Sequence, residues 1–169
     1  MKAINPQPDT LTSYSGSDTL RQIKVWFEKA VPFPTDINIS TQIGVHTEKM
    51  SEMFEPLQEV SRNQETNDQI AFFHDVLQHA QKCFKTHQRS FQLEFNHLDR
   101  TTLLDALCDQ IVNAIGVAHM LEMDIEGALK EVARSNDSKF DHMGQPIFND
   151  SSKIVKGPDY IPPALEKFV

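Results

Sequence analysis

The chain has 169 residues, 39% hydrophobic and 24% charged, enough for one substantial apolar core in a single domain. Its net charge of −8 and pI near 5.3, with no basic run long enough to follow a phosphodiester backbone, argue against duplex nucleic acid as a partner. It carries no signal peptide, lipidation motif or apolar run of about eighteen residues, so a soluble cytoplasmic protein with no membrane partner is expected.

Taken in chain order, the pattern is helical. Residues 1–16 are polar and proline-containing and read as a flexible arm. Asp18 caps an expected first helix, Thr19–Ala30, with Leu20, Ile23, Trp26 and Phe27 on one stripe. The stretch from Val31 to Pro34 ends it. A second helix, Ser40–Val60 with Ser40 as N-cap, buries Ile43, Met50, Met53, Phe54, Leu57 and Val60, and Pro56 should kink or restart it. A third runs from about Asn67 to Thr86 through Ile70, Phe73, Val76, Leu77, Ala80 and Phe84. Phe91, Leu93 and Phe95 alternate, as in a short extended linker. Asp99 caps a fourth helix that includes Leu103–Met123. Asp124 caps a fifth, Ile125 to about Arg134, packing through Ile125, Ala128, Leu129 and Val132. Beyond it, Gly144, Pro146, Gly157, Pro158, Pro162 and Pro163 exclude a long helix, and Pro146–Phe148 with Lys153–Val155 can pair as a small β-hairpin about the Asn149–Ser152 turn. The expectation is an all-α, antiparallel bundle of about five helices, with residues 17–136 as the bundle. Residues 137–169 form an irregular tail lying on the bundle or on a partner subunit.

Two acidic patterns stand out. Asp105, Asp109 and Asn113 recur every four positions on a helix that is otherwise largely apolar, and Gly116 and Met120 continue that stripe, so the helix should be packed on most sides. On the second helix Glu48, Glu52, Glu55 and Glu59 fall within an arc of roughly 60°, with Lys49 alone to offset them. A divalent cation held between the two sets would relieve both. Two solvated aspartates at the wet edge of a bundle, and an ordinary acidic surface ridge, explain them without one. The seven histidines form no HExxH pair, and Cys83 and Cys108 lack zinc spacing and read as reduced core thiols. Lys139, Lys153 and Lys156, with Arg134 and Asn136 before them, make the tail the natural place for phosphate contacts in an acidic chain, although an ordinary soluble tail has the same composition.

LLDALCDQIVNAIGVAHMLEMDIEGALKEVARSNDSKFD, followed by GQPIF and KIVKGPDYIPP and preceded by QIGVHTEKMSEM, resembles the MazG-like and phosphoribosyl-ATP pyrophosphohydrolase-like proteins of the all-α NTP pyrophosphatase superfamily. The resemblance runs from about Ile39 to Leu165 and is densest from Leu103 to Pro163. It implies a homodimer or homotetramer holding Mg²⁺, with Mn²⁺ as an alternative, through carboxylates of two helices, and an enzyme cleaving a nucleoside triphosphate to monophosphate and pyrophosphate. Placed on this sequence, the family's EExxE motif falls on Glu48, Lys49 and Glu52, and its ExxD motif ends at Asp109. Lys49 stands where a second Glu is expected, and Ala106 where the first carboxylate of ExxD is expected. Either Glu52 with Glu55 restores the spacing one turn later, or Glu48 and Glu52 act with Asp105 and Asp109. By resemblance, then, Glu48, Glu52 and Asp109 are catalytic, and Glu48, Glu52, Glu55, Asp105 and Asp109 are metal ligands. Asn113, Arg134, Asn136 and Lys139 face the substrate. The departure at Lys49 leaves open a non-catalytic nucleotide-binding or regulatory module with a degenerate metal site. A purely structural oligomer would leave Asp105, Asp109 and the basic tail unexplained.

Overall fold

Among the described residues there are five helices, α1 (Gly16–Ala30), α2 (Asp36–Val60), α3 (Gln64–Lys85), α4 (His97–Met120) and α5 (Ile125–Asp137), with a closing 3₁₀ turn at Glu166–Phe168. The computed structural model describes residues 16–86 and 97–169. The N-terminal arm before Gly16 and the Phe91–Phe95 linker lie outside the described residues. The all-α architecture is as expected from the periodicity. The hairpin of the tail reduces to one antiparallel bridge between Phe148 and Ile154, closed by Asn149 N–H donating to Lys153 O at 3.0 Å and Val155 N–H to Ile147 O at 2.9 Å. No described helix is long and apolar enough to cross a membrane.

Helix α2 starts earlier than expected. Thr35, not Ser40, is its N-cap, in a capping box where Asn38 N–H donates to the Thr35 hydroxyl at 3.3 Å and Thr35 N–H donates to Asn38 Oδ1 at 3.0 Å. The helix then runs unbroken through Pro56, so the expected restart is absent. Residues 61–63 turn the chain into α3, which Asn63 caps by accepting from Thr66 N–H at 3.2 Å. Asp99 lies in the first turn of α4, and Asp124 caps α5 by accepting from Gly127 N–H at 2.9 Å.

The α2–α3 pair packs through small residues. Ser40, Thr41, Gly44 and Ser51 are buried there, whereas Met50, Met53, Leu57 and Val60 of the anticipated apolar face are exposed. A Cβ at Gly44 would meet Lys85 Cγ at 2.8 Å and Phe84 Cβ at 3.0 Å, so the crossing is as close as a glycine allows. The short side chains also bond across the contact: Ser40 Oγ donates to Phe84 O at 2.8 Å, and Gln78 Nε2 donates to Ser51 Oγ at 2.9 Å. Burial of polar hydroxyls is tolerated because each has a partner.

A second contact joins α1 to α5. Trp26, Ala30 and Phe140 form the buried cluster, with Val31 and Ile154 against it. Trp26 stacks on Phe140 at 5.5 Å, and its indole N–H donates to Asn136 O at 2.8 Å. Trp26→Ala removes the largest member of this cluster and one of the donors to Asn136 O, which keeps the Lys139 N–H at 3.1 Å. It is expected to cost about 3–5 kcal/mol, seen in a thermal melt as a fall of roughly 10 °C in Tm.

Only Trp26, Ala30, Ala118, Ala133 and Phe140 are buried hydrophobics among the described residues, a smaller core than the composition suggested. The difference lies mainly in α4. It meets its own chain chiefly near Ala118, and Leu104, Ile111 and Val112 are 62%, 52% and 64% exposed. The expectation of a helix packed on most sides does not hold within one chain, and Cys108, expected in the core, is exposed too.

Candidate functional site

The acidic ridge of α2 divides. Glu48 lies on the side that meets α3, because it is one turn beyond Gly44 and nearly one turn before Ser51. Its Oε2 accepts from Lys85 Nζ at 2.7 Å and from Lys153 Nζ at 2.9 Å, and the side chains of Glu48 and Lys85 are only 19% and 15% exposed. Burial pushes the Glu48 carboxyl up, but the hydrogen bonds and charges of the two lysines outweigh it and hold the group below its ordinary value. Glu52, on the next turn, takes both its oxygens to Lys49 Nζ at 2.6 and 2.7 Å. Glu55 faces His74 Nε2 at 3.6 Å. Glu59 is exposed.

The tail reaches this place through a covalent span of more than a hundred residues. Thr41 Oγ1 donates to Ser151 O at 2.9 Å, anchoring the Asn149–Ser152 turn on α2 and delivering Lys153 to Glu48. Gly157 then crosses the end of α5 so closely that a Cβ there would meet Lys139 O at 2.8 Å. Lys139 is half-buried, with its ammonium 5.8 Å from the centre of the Trp26 ring. Burial is the main cause lowering its pKa. Tyr160 opposes the shift, and the charges of Lys49, Lys153 and Lys156 add to it.

The other residues singled out from sequence are placed differently. Asp105 and Asp109 stand exposed on α4, and Asn113 donates from Nδ2 to Asp109 O at 2.8 Å, spending its amide on its own helix. Between α2 and α4 runs a hydrogen bond of His46 Nε2 with Gln110 Oε1. Asn136 contributes its carbonyl to Trp26. Arg134 forms a two-point pair with Glu131, Nε to Oε2 at 2.9 Å and Nη2 to Oε1 at 2.8 Å, and also donates to Pro162 O at 3.2 Å. It therefore clasps the tail to α5. Glu131 also accepts from Ala164 N–H at 3.0 Å, and the Arg134 and Ala164 hydrogen bonds hold its carboxyl at about 2, against an ordinary 4.5. With the folded value depressed, this clasp contributes fully above pH 4.5 and is lost as pH falls through about 2. A carboxyl-detected NMR titration should find the Glu131 midpoint near 2, with the Ala164 amide shifting in step; a midpoint at 4.5 would show that the clasp does not form in solution.

The structure thus brings Glu48 together with Lys85, whose role in the site the sequence did not reveal, and with Lys153 of the basic tail, pairs Glu52 with Lys49, and sets Lys139 where the charges of Lys49 and Lys153 reach it. The signal for Lys85 was present in the small residues Ser40, Gly44 and Ser51, whose spacing marks a close helix crossing. Asp105 and Asp109 are not brought to them within one chain.

Whether a divalent cation fits turns on the donors. Mg²⁺ requires oxygen ligands in near-octahedral array, yet Glu48 already holds two ammonium groups and Glu52 a third. Among the described residues, no three His, Cys, Asp or Glu side chains converge as a metal site. In the single chain the carboxylates do not fit the cation; ammonium groups stand in its place. No protein-family model, no curated protein and no solved structure matches the chain.

Proposed function

We propose that the chain is a nucleoside triphosphate pyrophosphohydrolase, converting (d)NTP to (d)NMP and pyrophosphate in the cytoplasm as a homodimer or homotetramer. The observation that carries this reading is the meeting of Glu48 with the tail lysine Lys153: the two segments on which the family resemblance rests are far apart in sequence and adjacent in space. In the reaction, a water oxygen bonds to the α phosphorus, the bond from that phosphorus to the α–β bridging oxygen breaks, and its electron pair leaves with pyrophosphate. Glu48, Glu52 and Asp109 are the carboxylates assigned to orient that water and accept its proton. Lys139 neutralises the phosphate chain, with Asn113, Arg134 and Asn136 as further substrate contacts. Mg²⁺ or Mn²⁺, with Asp105 and Glu55 as added ligands, is the cofactor that the resemblance implies.

The lysines on Glu48 favour one second reading, a nucleotide-binding module without turnover. Pyrophosphate release from a panel of unmodified and modified nucleoside triphosphates, with Mg²⁺, Mn²⁺ or EDTA, separates the two. Metal-dependent release from one or a few nucleotides supports the enzyme. No release from any, while nucleotide still raises Tm, supports the module.

A further inference from the structure

Positive charge collects where the tail meets α2, in a chain whose net charge is −8. Lys85 and Lys153 converge on a single oxygen of Glu48. Lys49 takes Glu52. Lys139 is half-buried, and no described carboxylate lies within ion-pair distance of its ammonium; the same is true of Lys156, whose ammonium sits 4.7 Å from the centre of the Tyr160 ring. The close passage of Gly157 over Lys139 O fixes the backbones of Lys139 and Lys156 side by side. Five ammonium groups are therefore set against two carboxylates, both already paired, and Lys139 has given up part of its hydration with no described carboxylate beside it. A lysine in that position is stabilised by an oxyanion, and a chain of phosphates offers several oxygens to several lysines at once.

We propose that Lys139, Lys153 and Lys156, backed by Lys85, form a subsite that binds a di- or triphosphate oxyanion directly, without a divalent cation. The lowered pKa of Lys139 accords with this, since a buried ammonium lacking an anion is the less stable form. The subsite deepens the pyrophosphohydrolase reading by giving the phosphate end of the nucleotide a place to bind, but it stands on the lysine geometry and not on turnover.

The test is calorimetric titration of the full chain with inorganic pyrophosphate and tripolyphosphate in EDTA, with an unphosphorylated nucleoside as control. Pyrophosphate and tripolyphosphate bind and the nucleoside does not. Lys139→Met and Lys153→Met each weaken binding at least tenfold. Lys153→Arg, which keeps the charge and the bond to Glu48, retains it, and Lys24→Met, at an exposed lysine of α1 paired with Glu28, has no effect. Since Lys153→Met also removes a tie between the tail and α2, its Tm is measured alongside, and Lys139→Met, which breaks no ion pair, carries the decision if the fold is weakened. Absence of binding to the folded wild type in EDTA, or equal binding by Lys139→Met, overturns the proposal. Metal-dependent hydrolysis without binding in EDTA would remove this subsite and leave the enzyme. Binding in EDTA with no nucleotide hydrolysed under any condition would do the reverse.

Discussion

Asp109→Asn is expected to lower pyrophosphate release by at least about a hundredfold, the lower end of what a positioned carboxylate contributes to proton transfer. Stability should change by no more than about 0.5 kcal/mol, as for other exposed substitutions. The variant is a clean one because Asp109 is exposed and its side chain holds no other element in place; Asn113 bonds its backbone carbonyl, which the substitution keeps. Glu48→Gln is the more obvious change and the less informative. It removes the shared partner of Lys85 and Lys153 and leaves two partly buried ammonium groups facing a neutral amide. Activity lost there has two explanations, a missing catalytic carboxylate and a displaced tail. Full activity in Asp109→Asn would take Asp109 out of the chemistry.

Why the sequence reveals α4's carboxylates but not Glu48's partners follows from the range of the interactions. Helix periodicity is local, and it located all five helices, the Asp124 cap of α5 and the turn between Phe148 and Ile154. The start of α2 lies before the expected Ser40 because Thr35 and Asn38, three residues apart, carry a capping box directly after Pro34. The α2–α3 contact was misread for a different reason. Hydrophobic patterning looks for large apolar side chains, and here Met50, Met53 and Leu57 point away while Ser40, Gly44 and Ser51 make the close approach. Glu48 then reads as one of four ridge carboxylates when it is in fact the one turned inward. Its lysines come from the end of α3 and from the tail, at sequence separations that no local pattern encodes. Arg134 shows the converse: a basic residue beside a phosphate-binding candidate, but one whose Nε and Nη2 donors are turned to Glu131 and Pro162 O.

The wild-type chain is expected to run as a dimer or tetramer, and Leu104→Glu with Ile111→Glu to shift it to smaller species by size-exclusion chromatography with light scattering. The reason is α4. At about 100° per residue, Leu104, Leu107, Ile111 and Ile115 fall within a stripe less than about 100° wide, and all four are exposed in the single chain. From Leu104 to Ile115 the stripe runs about 17 Å along the helix, too much contiguous apolar surface to leave in water when the other described residues cover little of α4 beyond Ala118. Buried glutamates in such a seam would be unpaired, at a cost of several kcal/mol for the pair. Asp105 and Asp109 lie on the same helix, roughly a quarter to a third of a turn from the stripe, so separating the copies changes the surroundings of both carboxylates. Pyrophosphate release should therefore fall with assembly in the double variant. Should that variant fail to fold, the wild type still decides the matter: the Tm of an oligomer held by α4 rises with protein concentration, and that of a monomer does not. A folded wild-type monomer at micromolar concentration, with a concentration-independent Tm, would mean that α4 is not a contact between copies.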